Sequence, residues 1–571
     1  MTSFALYQFS FVAIVSMPVF AQSSPPSGVT LPLTTPEQID QTLPSTTETH
    51  PDLPNDLKDA PDPSLKIPKN QEEHSPSSLK ATTFFVQRVE VLGSTVLQAD
   101  IDELIQPFEN RSGVTFEQLI DLRTAITQTY IKNGYVTSGA FLPNAQDISD
   151  GIVQIQVVEG QLERIDVTGL KRLRNDYIRQ RLQLASSPPL QQQRLEQALK
   201  LLQLNPLVQQ IDAELTAGTT PGLSVLKVNV KQTPEFQAGV AIDNYRSPSV
   251  GSLQGSIDVA HNNVLGLGDL IQGSYDVAEG LEILDVWYTI PWNARNGTVG
   301  IRYSNSDSKI VTAEFRDLDI RSETQTLAFQ LRQPIIQTPS QEFVLGLGFD
   351  LRQSQTFLLD DIPFSFSQGP EDGESKVRVL RFFQDWTLRD ASSILSARSQ
   401  FNIGLDIFDS TINLMGASGD FFSWLGQFQW VQRLPHQMVL VTRVSAQLTP
   451  DTLLPLEKFS IGGIDSIRGY VQNQRLADNG LLGSIELRIP LLRQHQTLQL
   501  TPFFEAGKVW NTSEHNLDDS TLASIGLGLR WQIFKQVNAR LDFGLPLFPI
   551  DNLGSSLQES GLYFSLRYQP F

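Results

Sequence analysis

The chain contains no cysteine, which excludes disulfides, thiolate metal sites and cysteine nucleophiles together. Histidine is scarce: His50, His74, His261, His436, His495 and His515 are scattered, with no HExxH pair, so no metal site is expected. No GxxxxGK[ST] phosphate loop occurs, and no nucleophile, base and orienting group fall into a triad pattern. The reading is of a non-enzyme without cofactors. Basic residues are outnumbered, 43 against 62, and the formal charge of −19 argues against nucleic acid as a partner. The apolar run near the start, Phe9 to Phe20, is too short for a helix to span a bilayer. No Lys or Arg precedes Lys58, yet that run, with Val19 and Ala21 ahead of Gln22, fits a secretory signal over 1–21.

At 571 residues the chain exceeds one ordinary domain, and its composition divides it. Residues 22–80 place recurrent prolines among Ser, Thr, Asp and Glu; such a stretch buries too little apolar surface to offset the entropy of ordering, and reads as a disordered linker. From 84 to 160 the pattern is strand, helix, helix, strand, strand. FFVQRVEVLG alternates, and in TFEQLIDLRTAITQTYIKNGY the residues Phe116, Leu119, Leu122, Ile126 and Tyr130 form one helical stripe, with Thr115 as cap and Gly134 as terminator. Residues 162–232 repeat the unit, with LERIDVTGL, helices near 176–184 and 190–204, then VQQIDAEL and LSVLKVNV.

Beyond Thr233 helical spacing disappears. In TLASIGLGLRWQIF the apolar Ile525, Leu527, Leu529 and Trp531 alternate with Ser524, Gly526, Gly528 and Arg530. Apolar-out, polar-in strands in succession predict a transmembrane antiparallel β-barrel over 235–571, with about sixteen strands. In its second half, short turns at 389–391, 434–436 and 534–536 alternate with long loops at 355–374, 407–419, 450–480 and 547–560. Short turns belong to the periplasmic end, so both barrel ends and the two preceding modules are expected there, with 450–480 on the outside.

That external loop carries EKFSIGGIDSIRGY, Glu457 to Tyr470, an apolar segment where loops are usually polar. Strand parity adds a partner: if Leu498, Leu500, Phe504 and Ala506 face lipid, Glu505 points inward, and on the preceding strand Glu486 is inward with Ser484 and Arg488. An inward Arg468 needs such an acid, because a lone charge in a partly desolvated lumen costs several kcal/mol. Parity alone leaves Glu505 and Glu486 both open as that acid. NNVLGLGDL, Asn262 to Leu270, reads as a glycine-permitted turn without a phosphate role.

The two α+β repeats resemble POTRA domains, and the loop motif Gly462, Gly463, Ile467, Arg468, Gly469 and Tyr470, with the strand piece TPFFEAGKVW, resembles the Omp85 superfamily, specifically the two-partner secretion transporters of the haemolysin secretion/activation type. Members usually carry Asp where this chain has Glu505. The resemblance implies an outer-membrane protein with periplasmic POTRA domains, whose long loop folds into the lumen so that Arg468 meets an acid on the wall, with Glu505 the preferred partner and Glu486 the competitor. It implies export of a large secreted client, adhesin- or haemolysin-like, bound through the POTRA domains, with insertion by the barrel-assembly machinery that reads the terminal strand ending in Phe571. The alternative reading is an Omp85-type outer-membrane assembly or insertion factor.

Overall fold

The computed structural model describes residues 64–66, 83–144, 146–359, 361–492, 497–513, 520–550 and 554–570. The signal segment expected over 1–21, Phe571, and all of 22–80 except 64–66 lie outside them. The first described segment is a strand, β1 (Ser64–Lys66).

The first module runs β2 (Thr83–Val86), β3 (Arg88–Leu92), α1 (Gln98–Ile105), β4 (Arg111–Thr115), α2 (Phe116–Lys132), β5 (Gly139–Phe141) and β6 (Ile152–Val158). The alternation of FFVQRVEVLG is one continuous pattern in sequence but two strands in space. The carbonyl of Gly151 accepts from both Gln87 N and Arg88 N, and at that point the chain stops pairing with β4 and starts pairing with β6. Helix α2 begins on a reciprocal cap: Thr115 Oγ1 accepts from Gln118 N, and Gln118 Oε1 accepts from Thr115 N. Leu119, Leu122, Ile126 and Tyr130 are its buried face, whereas Phe116 is exposed. Burial pushes the Tyr130 hydroxyl up to about 12, which keeps it a donor to Glu159 Oε1 at 3.0 Å.

The second module has β7 (Gln161–Thr168), α3 (Asn175–Gln183), α4 (Gln192–Gln203), β8 (Val208–Ala217) and β9 (Leu223–Gln232). Here β7 lies parallel to β9, which is antiparallel to β8, as β3 lies parallel to β6 and β5 antiparallel to it. The repeat is thus one of topology as well as pattern. Strand β1 adds in parallel to the outer edge of β8, Ser64 opposite Asp212 and Lys66 opposite Glu214. This corrects the reading of 22–80 as disordered throughout. An unpaired sheet edge offers backbone partners to any extended segment, and Leu65 also packs against the module's core.

The remaining strands are β10 (Phe236–Asp243), β11 (Gln254–Asn262), β12 (Leu270–Ala278), β13 (Leu281–Pro291), β14 (Thr298–Lys309), β15 (Arg321–Gln337), β16 (Gln341–Leu358), β17 (Ile362–Pro363), β18 (Glu374–Arg389), β19 (Ser393–Gly404), β20 (Phe422–Arg433), β21 (Val439–Leu448), β22 (Phe459–Ile461), β23 (Arg475–Ala477), β24 (Asn479–Pro490), β25 (Leu498–Trp510), β26 (Thr521–Phe534), β27 (Val537–Pro546) and β28 (Leu562–Tyr568). Strand β17 is a short lip on β16, and β22 pairs with β23 alone. The other sixteen close an antiparallel barrel, sealed where Val240–Asp243 of β10 meet Ser565–Tyr568 of β28. Ile485, Phe504, Ile525, Leu527, Leu541 and Phe543 stand exposed on the outside. Such an apolar band is solvated by hydrocarbon and not by water.

The second module meets the barrel at its short-turn end. Arg174 N donates to Gly266 O at 3.0 Å, Arg172 Nη2 donates to Val264 O at 2.6 Å and Arg181 Nε to Asn296 Oδ1 at 2.8 Å. The Tyr177 ring occupies the space over Gly268, where a Cβ would lie 2.4 Å from ring carbon Cε2. The turn NNVLGLGDL is therefore a seat for α3 as well as a tight reversal. Truncating the fully buried Ile126 to alanine should cost the first module about 2–5 kcal/mol. Hydrogen exchange on the whole protein checks this: α2 and β6 exchange faster while barrel strands stay unchanged.

Candidate functional site

The loop between β21 and β24 leaves the long-loop end and turns inward. Its β22–β23 hairpin pairs Phe459 with Ala477 and Ile461 with Arg475, so the backbone satisfies its own polar groups away from water. Phe459, Ile461, Ile467 and Tyr470 pack on Leu425 of β20, Leu482 of β24, Val509 of β25 and Leu522 of β26. The apolar composition of the loop is explained: it is a plug-like core inside the barrel. Gly462 N donates to Ser466 Oγ at 2.8 Å and Gly463 N to Ile467 O at 3.1 Å, a compact reversal that delivers Arg468 to the wall.

Arg468 is 1% exposed and meets three carboxylates. Its Nη2 and Nε donate to Glu505 Oε1 at 2.5 and 3.0 Å, and its backbone N donates to Glu505 Oε2 at 2.7 Å. Nη1 donates to Glu486 Oε2 at 3.0 Å and to Asp542 Oδ1 at 2.8 Å. The Phe503 ring lies under the guanidinium, 3.4 Å from Cζ to the ring centroid, a stacking that a planar cation accepts. The two acids weighed from sequence are both in contact, and the geometry does not make them alternatives. Asp542 is the acid that sequence reasoning missed. Parity on β27 would have turned it inward, since Leu541, Phe543 and Leu545 are exposed, but its reach to the arginine depends on the stagger across three strands, which sets Asp542 across from Gly528 and Thr501 and not from Glu505. Between them β26 presents only Ser524, Gly526 and Gly528 inward. A Cβ on Gly528 would lie 2.4 Å from Asp542 Oδ1, and one on Gly526 2.1 Å from the Phe503 ring, so the bare face of β26 is what lets one arginine span β25 and β27.

The wall acids have partners of their own. Glu486 Oε1 accepts from Arg488 Nε at 3.0 Å and lies 3.4 Å from Arg530 Nη2, and Asp542 Oδ2 accepts from Arg540 Nε at 2.5 Å. Glu505 Oε1 accepts from Ser484 Oγ at 3.3 Å. The tip is also held by backbone. Gly469, at φ 98°, brings its Cα so near β27 that a Cβ would lie 3.0 Å from Gly544 O. Its N donates to Tyr563 Oη at 3.0 Å, and the Tyr563 hydroxyl donates to Tyr470 O. The Tyr470 hydroxyl lies 2.9 Å from Ala523 O and 3.0 Å from Phe548 O. Tyr563, fully buried on β28, is a second residue the sequence did not single out.

The sequence profile of the haemolysin secretion/activation protein family ShlB/FhaC/HecB matches residues 222–531, and that of the ShlB-type POTRA domain matches 84–160. The chain is similar to the outer membrane transporter CdiB of Escherichia coli, 25% identical over 481 residues that cover 81% of this chain and 79% of the relative. It is 22% identical over 490 residues to the heme/hemopexin transporter protein HuxB of Haemophilus influenzae, covering 81% and 84%. The solved structure of CdiB from Escherichia coli is alike in fold, with a TM-score of 0.65 at 23% identity over 87% of this chain and 92% of that one. A sixteen-stranded barrel, a ShlB-type POTRA domain and these matches place the chain in the ShlB/FhaC/HecB family: it is a two-partner secretion transporter of the outer membrane, within the Omp85 superfamily.

Proposed function

We propose that the protein binds an unfolded client in the periplasm through its two modules, 84–160 and 162–232, and exports it through the barrel once the 450–480 loop leaves the lumen. The observation that carries this reading is the buried Arg468 cluster, which holds an external loop inside the pore it would have to clear. Its electrostatics suit a reversible gate. When Arg468 withdraws, Glu486 keeps Arg488 and Arg530, and Asp542 keeps Arg540. Glu505 keeps the Ser484 hydroxyl, so the cost of opening falls mainly on one carboxylate.

Docking by strand addition is supported by the edge of β8, which already accepts the extended residues 64–66. No nucleotide loop is present in the sequence, so folding of the client outside would supply direction. The large secreted client is adhesin- or haemolysin-like in this reading, and the barrel-assembly machinery inserts the transporter through its terminal strand.

Two experiments test this. Deleting 84–231 while keeping the barrel should leave the client in the periplasm, measured as its secreted fraction with barrel assembly checked in parallel; continued secretion would overturn client binding by the modules. Arg468→Ala strands the buried Glu505 carboxylate, at a cost of about 3–5 kcal/mol, and should lower the barrel's denaturation temperature and reduce export severalfold. Arg468→Lys keeps the charge but loses the fork and the stacking on Phe503, so export should recover only in part. Unchanged secretion in the alanine variant removes the gate role from this cluster.

A further inference from the structure

The Arg468 cluster fixes the tip of the loop, but the loop enters the lumen at a different place. Glu457, in the turn Pro455–Glu457 ahead of β22, is buried at 8% exposure. Its Oε1 accepts from Arg352 Nη1 at 2.8 Å and from Arg381 Nη2 at 2.9 Å, and its Oε2 accepts from Arg381 Nη1 at 3.1 Å. Arg352 stands on β16 and Arg381 on β18, neighbouring strands of the wall. Arg352 Nη1 also donates to Leu456 O at 2.5 Å. Arg381 is braced in turn by Asp350, 2.6 Å from its Nε, and by Asn402 Oδ1 of β19 at 2.9 Å. From β21, Gln447 Nε2 donates to Glu457 O at 2.9 Å.

These contacts share no residue with the Arg468 cluster. The charged partners of Glu457 belong to β16 and β18, those of Arg468 to β24, β25 and β27, and β19, β20 and β21 stand between the two arcs of wall. The signs are also reversed: at the tip the loop brings the cation and the wall the acids, whereas at the base the loop brings the acid and the wall the cations. Two such contacts cannot exchange partners when the loop slides, because each would meet its own sign on the wall. A loop held at both points also rebinds fast after one contact breaks, since the intact one keeps the other at high effective concentration.

We propose that Glu457, clasped by Arg352 and Arg381, is a second latch of the lumen loop, a positioning residue that keeps the pore shut independently of Arg468. The proposal rests on the reading of the loop as a gate. Consequently, a channel lacking either latch opens part of the time, and one lacking both stays open far longer.

The test is single-channel recording of the full-length protein in planar bilayers, for Glu457→Gln, Arg352→Gln, Arg468→Ala and Glu457→Gln with Arg468→Ala. Glutamine at 457 keeps the shape and the oxygen acceptor and removes the charge. Glu457→Gln and Arg352→Gln should each raise the ratio of open to closed time by about tenfold or more, as expected for weakening a hydrogen bond between charged groups, Arg468→Ala should raise it further, and the double variant should multiply the two effects. Barrel assembly is monitored by heat-modifiable gel mobility; should Glu457→Gln fail to assemble, Arg352→Gln, which leaves the loop untouched in sequence, decides. Wild-type gating in the assembled Glu457 and Arg352 variants, with Arg468→Ala opened, overturns the second latch alone. Wild-type gating in all of them overturns the gate reading itself.

Discussion

A guanidinium removed from water must be met by opposite charge, and almost every feature of the lumen loop follows from that one demand. Arg468 is neutralised by acids on three strands, and a carboxylate network of that kind is tolerable only because Arg488, Arg530 and Arg540 flank it. The bare inner face of β26 and the glycine at 469 are conditions for the same contact. One removes side chains between the acids, and the other lets the loop backbone approach β27. Buried pairs of this type add little net stability over an apolar core but fix register strongly. For the proposed gate, that is the useful property.

The periplasmic half obeys a different constraint. The first module buries a helical face on the sheet β3-β6-β5 and the second on the sheet β1-β8-β9-β7, and both leave sheet edges at the margin. An edge must be covered or used. The seat formed by residues 263–268 against α3 fixes the second module under the barrel, so that its sheet has a defined position relative to the pore.

Much of this was legible in the sequence because period carries direction. Alternation on β25 turned Glu505 inward and alternation on β24 turned Glu486 inward, without reference to any other strand. The capping pair Thr115 and Gln118 and the stripe Leu119, Leu122, Ile126 and Tyr130 are likewise local. The break at Gln87 was not legible, since nothing in an alternating run marks a change of pairing partner. Nor was β1: three residues in a proline-rich stretch become a strand only because β8 has an edge to offer.

The sequence by itself determined the helices, the barrel strands with their faces and the presence of an apolar, arginine-bearing loop, because these depend on residues close together in the chain. Tertiary structure alone decided which acids meet the arginine. Parity says that a side chain points into the lumen, but the height at which it points is set by the stagger accumulated around a closed barrel. That is why Asp542 joined Glu505 and Glu486, and why Glu457, read only as the first residue of a motif, was found clasped between two arginines more than seventy residues earlier in the chain.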